Sequence, residues 1–340
     1  MSDQHRMRLV QLVFGQMAGQ AVASAVRFGL ADLIGDAERT GTELAAATGT
    51  NAGALTRLLR ALASLGLLTE PSPGSFRLTE AGALLRTNRP DSLAAFVRMF
   101  SDPAMLSAWG ELDDAMRTGE TTFDKVFGVS FFGHLASDLE LSELFNAAMR
   151  QGTRLTAQVL PSQYEFGRFH TVADIGGGDG TLLAEILRAH PEPRGILYDT
   201  NEGLGQAGET LRAAGVADRC AIQAGDFFAA APEGADLYLL KSVLHDWSDE
   251  RAATILGHCR TAIPDHGRLL IIEPVLPEVV DGTLPPTMYL SDLNMLVNLG
   301  GRERTRADFE RLCRRAGFTL TGVRTLPPPA AFSLLETTPA

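Results

Sequence analysis

Three groups of residues in this 340-residue sequence have side chains and spacings suited to chemistry. The first is VADIGGGDGT, Val172 to Thr181, where a short apolar stretch (Thr171 to Ile175) carries Asp174 near its end and runs into Gly176, Gly177, Gly178, Asp179 and Gly180. Glycine supplies positive φ for a tight turn and removes the Cβ atoms that would keep a ligand off the backbone. The second is Asp199, nineteen residues after Gly180, at the end of the apolar segment GILYD. A carboxylate there can accept hydrogen bonds from a ribose diol. The third is ADLYLLKSVLHDW, Ala235 to Trp247, an apolar segment closing on Lys241, Ser242, His245 and Asp246. A further acidic turn, Gly225-Asp226-Phe227-Phe228, lies between the second and the third.

After the glycines, Thr181, Leu182, Leu183, Ile186 and Leu187 are apolar at helical spacing, so the run reads strand, glycine turn, helix. That is the first step of a nucleotide-binding sheet, although glycine turns also occur for purely structural reasons. A diphosphate favours a helix N-terminus free of competing anions. Asp174 and Asp179 make this turn better suited to a cationic or zwitterionic adenosyl ligand, a description that S-adenosylmethionine fits.

The elements that must position these residues follow from the rest of the chain. Beyond Trp247, SDERAATILGHCRTAI reads as a helix capped by Ser248, GRLLIIEPVLP as a buried strand ending at Glu273, and TMYLSDLNMLVNLGGRERT as a helix stopped by Gly300 and Gly301. ADFERLCRRAGFTL is a helix running into a final strand. Strands alternating with helices imply an α/β domain with a mainly parallel, Rossmann-like sheet. Upstream, a helix from about Met7 to Phe28 has an apolar stripe too wide for a lone surface helix and suits packing on a second copy. Thr42 is placed to cap ELAAATG, Leu55, Leu58, Leu59, Leu62 and Leu65 share a helix face, and TEPSPGSFRLTEAG reads as a hairpin with Pro71, Pro73 and Gly74 at its tip. Helix, turn, helix, hairpin is a winged-helix plan. Between the two domains lies a helical stretch rich in aromatics, including Trp109, Phe123, Phe131, Phe132 and Phe145; most read as core, with Phe145 and Met149 the candidates to face a flat apolar ligand. The expected division is residues 1–100, 101–165 and 166–340.

Composition narrows the function. The net charge of -11 argues against a polyanionic partner. Within residues 36–80, four basic side chains (Arg39, Arg57, Arg60, Arg77) face five acidic ones (Asp36, Glu38, Glu43, Glu70, Glu80), so the winged helix lacks the basic stripe that DNA requires. Cys220, Cys259 and Cys313 are far apart, which fits neither a disulfide framework nor a zinc site. Gln11, Gln16 and Gln20 interrupt the first apolar stretch, so we expect a cytoplasmic protein with no membrane span.

At these residues the chain resembles the S-adenosylmethionine-dependent O-methyltransferases of the caffeate and bacterial polyketide type. The resemblance spans essentially the whole chain. It implies a class I methyltransferase sheet at the C-terminus, with a helical winged-helix dimerisation domain at the N-terminus, and a homodimer. LLKSVLHDWSDE is its most specific stretch. Carried over residue by residue, Asp174, Gly176, Gly177 and Gly178 form the cofactor's glycine motif, Asp199 is the ribose acid, Asp226 and Phe227 flank adenine, and Lys241 with Ser242 adjoins the cofactor. His245 falls on the catalytic base, and Glu273 and Glu303 on the two acids that flank it. Phe145, Met149, Asp246, Asn294 and Met295 fall in substrate-facing segments. The chain departs from the family after Asp199, where Thr200-Asn201-Glu202-Gly203 replaces an apolar residue and proline.

The implied reaction is an in-line displacement in which the cofactor supplies the electrophile and the protein supplies alignment and a proton acceptor. A neutral imidazole suits the proton of a phenol, and Glu273 or Glu303 could hold its other nitrogen. No metal is expected, because DLNML offers no histidine beside His245 and Asp246. Methylation of carbon or nitrogen, another reaction of the bound sulfonium, a ligand-sensing winged-helix regulator and a catalytically idle dimerisation partner are the alternatives.

Overall fold

The computed structural model describes residues 2–328, 330 and 332–340. They form two compact units, Met1–Leu106 with Glu143–Gly152, and Ser107–Ser142 with Thr153–Ala340.

In the first unit, helix α1 (Ser2–Arg27) precedes α2 (Gly41–Thr48) and α3 (Ala52–Ser64), followed by the hairpin strands Leu68–Ser72 and Ser75–Leu78. A two-residue strand, Arg39–Thr40, pairs antiparallel with the second hairpin strand and completes the wing. Leu55, Leu59 and Leu62, on one face of α3, close a core with Leu30, Ile34, Leu44 and Phe76. Leu65 lies past the end of α3 and is exposed. The cap of α2 is Thr40, not Thr42. Thr40 accepts from the Glu43 backbone N–H while the Glu43 carboxylate accepts from the Thr40 N–H, a reciprocal pair that a residue inside the first turn cannot make. The outer part of α1 leaves Met7, Leu9, Leu12, Val13, Phe14 and Met17 each more than half exposed. Among the described residues this helix, Asp3–Arg27, is long and apolar enough to cross a membrane by length and composition.

The second unit is built on strands β1 (Thr171–Ile175), β2 (Arg194–Asp199), β3 (Cys220–Ala224), β4 (Leu237–Lys241), β5 (Arg268–Glu273), β6 (Phe318–Thr325) and β7 (Ser333–Pro339), in the order β6-β7-β5-β4-β1-β2-β3. The five strands from β5 through to the edge strand β3 are parallel. Successive residues alternate between two cores: Val172, Leu197, Leu237, Leu239 and Leu270 pack on one face, and Ala173, Tyr198, Tyr238, Leu240 and Ile271 on the other. Helices α4 (Thr181–Ala189), α5 (Asp249–Ala262), α6 (Pro286–Asn294) and α7 (Arg306–Arg315) belong to this unit, and Ser248 caps α5. The strand beginning at Phe318 is not the last one. β7 follows it and inserts antiparallel between β6 and β5.

The capping geometry makes a discriminating prediction. Thr40→Ala should lower the stability of the first unit by about 1 kcal/mol, and Thr42→Ala by a small fraction of that. Urea denaturation of both variants checks it.

Candidate active site

The site is assembled where β4 and β5 end side by side. Past Lys241 the chain must turn sharply, and Ser242 does so with φ 52°, the only positive value outside glycine among the described residues. Its N–H donates to Ile272 O at 3.2 Å, and the chain enters a short 3-10 turn, Leu244–Asp246, that presents His245. The turn is shaped by Glu273. Fully buried at the end of β5, Glu273 accepts the backbone N–H groups of Val243 and Leu244 on Oε1, each at 2.9 Å.

A second segment clamps the same turn. Helix α6 passes into a π turn (Met295–Leu299) that ends at Gly300 and Gly301. A Cβ on Gly301 would collide with the backbone of His245 and Asp246, so only glycine lets the two segments meet. Arg302 N–H then donates to His245 O at 2.9 Å. Arg304, fully buried, donates to Leu244 O at 2.7 Å, Trp247 O at 2.8 Å and Asp249 Oδ1 at 2.9 Å. Arg304 was not singled out by the sequence, since its partners lie 55 to 60 residues away.

With its backbone held on both sides, His245 is oriented through its ring. Nδ1 lies 3.0 Å from Glu303 Oε1, which also accepts from Ser291 Oγ at 3.1 Å. Glu273 Oε2 is 3.6 Å from Nδ1, and Asp246 Oδ1 is 3.5 Å from Nε2. An acceptor at Nδ1 fixes the proton there, leaving Nε2 as the nitrogen able to take another. Burial opposes charge on His245, but the carboxylates of Glu273, Asp246 and Glu303 outweigh it and push the imidazole up from 6.5 to about 10. Burial, with Glu273 and Glu303 nearby, pushes Asp246 up to about 7 despite His245. A neutral imidazole at pH 7 is thus not what the isolated chain provides. The acids around this buried ring favour its imidazolium form.

The glycine turn forms a second acidic pocket in the same unit. Asp174 is buried with Oδ2 unpartnered, and burial together with Asp199 and Asp179 raises it to about 7. A Cβ on Gly176 would come within 2.8 Å of Val243 Cγ2, while Gly178 at φ 57° faces open space. Asp199 accepts from Gly178 N–H at 2.8 Å and from Thr200 N–H at 2.7 Å. The loop after Asp199 is therefore a capped turn. Thr200 accepts from the backbone of Gly203 and Leu204, and a short 3-10 helix follows over Gly203–Gln206.

Lys241 Nζ donates to Thr153 Oγ1 at 2.9 Å and lies 4.9 Å from the centre of the Phe332 ring; burial lowers it to about 8. Neither partner was foreseen. Asp226 caps its own turn, accepting from Phe228 N–H at 2.8 Å, and Phe227 packs on Phe228 and edge-on to Trp247. Trp247 in turn stacks on Phe132. Phe123 and Phe131 are core residues. Asn294 and Met295 lie at the junction of α6 and the π turn, both buried. Phe145 and Met149 are half-buried on the helical segment that belongs to the first unit. His245, Glu273 and Glu303 also bring ligand atoms within 4.8 Å of one another, a spacing that could hold a metal ion.

A strand-end histidine ringed by carboxylates beside a glycine turn is matched by known proteins. Residues 109–319 match the model of an O-methyltransferase domain, and residues 10–88 that of an O-methyltransferase dimerisation domain. The chain belongs to this O-methyltransferase family. It is similar to O-demethylpuromycin-O-methyltransferase of Streptomyces alboniger, 49% identical over 98% of this chain and 89% of that protein. It is similar too to the phenazine O-methyltransferase PhzM of Lysobacter antibioticus, 44% identical over 97% and 95%. Among solved structures it resembles the O-methyltransferase NcsB1 of neocarzinostatin biosynthesis in complex with S-adenosylmethionine and 2-hydroxy-5-methyl naphthoic acid, with a TM-score of 0.80, 32% identity and 95% and 96% coverage.

In this O-methyltransferase the clamp on the His245 turn is testable apart from catalysis. Arg304→Met removes three donors and strands the carbonyls of Leu244 and Trp247, so the loss should be on the order of 3 kcal/mol. Equilibrium denaturation gives the value, and an unchanged midpoint would show that Arg304 does not hold the turn.

Proposed function

We propose that this methyltransferase methylates a phenolic hydroxyl of a small aromatic natural product, with His245 as the general base and Glu303 and Glu273 as the residues that orient and charge it. The observation that carries this reading is the 3.0 Å contact between His245 Nδ1 and Glu303, which reserves Nε2 for the incoming proton.

The methyl donor is S-adenosylmethionine. When bound, it supplies an electrophilic methyl carbon on a sulfonium; the hydroxyl oxygen takes that carbon as the S–C bond breaks and a neutral thioether leaves. The groups of the chain suit such a cation. Asp174 offers a buried, unpartnered carboxylate oxygen, the lone pairs of Asp199 left by its two N–H partners suit a ribose diol, and the glycine turn leaves room beside them. Lys241 ends the neighbouring strand with Ser242 at the turn after it, and Asp226 and Phe227 complete the adenine side. Asn294, Met295 and Asp246 fall to the substrate, with Phe145 and Met149 assigned by the family resemblance alone.

His245 accepts the hydroxyl proton on Nε2, and the carboxylates stabilise the imidazolium that results. Because they also raise its proton affinity, the base is free only at higher pH, or when a second positive charge nearby opposes the imidazolium. The transfer needs no metal. The bare apolar face of α1 and the dimerisation domain favour a homodimer.

His245→Ala should lower kcat by about a hundredfold or more while leaving donor affinity intact. A product carrying its new methyl on carbon or nitrogen would overturn the O-methylation reading. For the unaltered enzyme, kcat/KM should rise with pH with an inflection well above the ordinary 6.5 of histidine. Glu303→Gln removes a negative charge that raises His245, so the inflection should move to lower pH as the rate falls. An inflection that stays in place would assign it to the phenol instead.

Donor affinity should carry its own pH dependence. Asp174 ionises at about 7 in the empty protein and a bound cation favours the ionised form, so affinity should weaken as pH falls through that range. Asp174→Asn should bind S-adenosylmethionine about tenfold less tightly and lose that dependence, measured by calorimetric titration.

A further inference from the structure

Trp109, Asn294 and Asn298 form a chain of hydrogen bonds of which the proposed function uses only Asn294, as a residue facing the substrate. Trp109 Nε1 donates to Asn294 Oδ1 at 2.9 Å, and Asn298 Nδ2 donates to the same oxygen at 2.9 Å. The direction of this chain is set by chemistry. An indole N–H only donates, so the Asn294 atom facing it must be the oxygen. The Asn298 atom facing that oxygen must then be its nitrogen. Two consequences follow. Asn298, with no exposed surface, is left with Oδ1 enclosed and unpartnered, and such an unmade bond is costly. The NH2 of Asn294 takes no hydrogen bond among the described residues and, unlike Asn298 Oδ1, is not among the enclosed atoms.

The surrounding backbone holds this arrangement. Thr122 Oγ1 donates to Ala108 O at 2.9 Å and lies 3.4 Å from Val297 O, tying the helix that ends in Trp109 to the π turn that carries Asn298. Asn294 is three residues beyond Ser291 on α6, so the two share a face one helical turn apart. The Ser291 hydroxyl bonds the Glu303 oxygen that faces His245. Asn294 is therefore about 5 Å along the helix from Ser291, the residue that bonds Glu303.

We propose that Trp109 and Asn298 are positioning residues that lock the Asn294 amide with its NH2 toward the substrate, where it donates to an acceptor, a carbonyl oxygen or ring nitrogen, adjacent to the hydroxyl being methylated. This rests on the functional reading above and adds a substrate class to it: hydroxyarenes with a neighbouring hydrogen-bond acceptor. The enclosed Asn298 oxygen is the cost of holding the donor in place.

Two phenols of one shape test this. 8-Hydroxyquinoline carries a ring nitrogen beside its hydroxyl, and 1-naphthol carries a C–H at that position. Asn294→Asp keeps the oxygen that Trp109 and Asn298 bond but removes the NH2. It should lower kcat/KM for 8-hydroxyquinoline about tenfold relative to 1-naphthol. Asn298→Leu and Trp109→Phe, which keep the NH2 but release the amide, should lower the same ratio by a smaller factor while the pH profile stays in place. Equal loss on both phenols, the signature of a merely structural role, would overturn the inference, as would an unchanged ratio in all three variants. Methylation of neither phenol by the unaltered enzyme would overturn the functional reading and this inference with it.

Discussion

Two buried carboxylates, Glu273 and Glu303, set the terms for the rest of this site. Burying a carboxylate is costly unless it is bonded or paired. Glu273 meets that cost by accepting two backbone N–H groups, and in doing so it bends the chain after β4 into the turn that displays His245. Glu303 meets it through the imidazole and the Ser291 hydroxyl. Each still has an enclosed oxygen without a partner. The remaining negative charge acts on His245, orienting the ring through Glu303 and raising its proton affinity. One interaction thus links the ends of β4 and β5, the π turn and the chemistry.

The supports around this cluster follow the same logic of satisfying polar groups in a dry interior. Arg304 takes the carbonyls that the 3-10 turn leaves over, and Gly301 lets its segment approach closely enough for Arg302 to bond His245 O. The glycine turn at Asp174 is the opposite case. Asp174 keeps an enclosed oxygen without a partner, which suits it to a cation, and burial beside Asp199 and Asp179 leaves it close to its titration point at neutral pH.

What the sequence disclosed depended on whether the determining contacts were local. The strand Thr171–Ile175 and its glycine turn were legible to the residue, because an apolar run followed by glycines has few other solutions. The cap of α2 was misplaced by one hydroxyl: Thr40 precedes the helix, Thr42 lies in its first turn, and the reciprocal bond to Glu43 singles out Thr40. Strand β7 was missed because a proline-rich stretch precedes it and its pairing partners β5 and β6 are set by topology. His245 stood out from its neighbours, but Glu303 meets it from 58 residues away, and the family resemblance rather than any spacing pointed to that acid. Arg304, Thr153 and the Trp109–Asn294 bond are of the same kind, the last spanning 185 residues. Side-chain bonds of that reach leave no periodic trace.

The claim on which this account most depends is that buried carboxylates, rather than the ring's ordinary basicity, govern the charge of His245. Nitrogen NMR of histidine-labelled protein, free of ligands and titrated from pH 6 to pH 10, measures that charge directly, with His245 assigned through its His245→Gln variant. The account predicts that both ring nitrogens of His245 stay protonated through neutral pH and release a proton only toward about 10. Release near the ordinary 6.5 would contradict it and remove the electrostatic basis of the site.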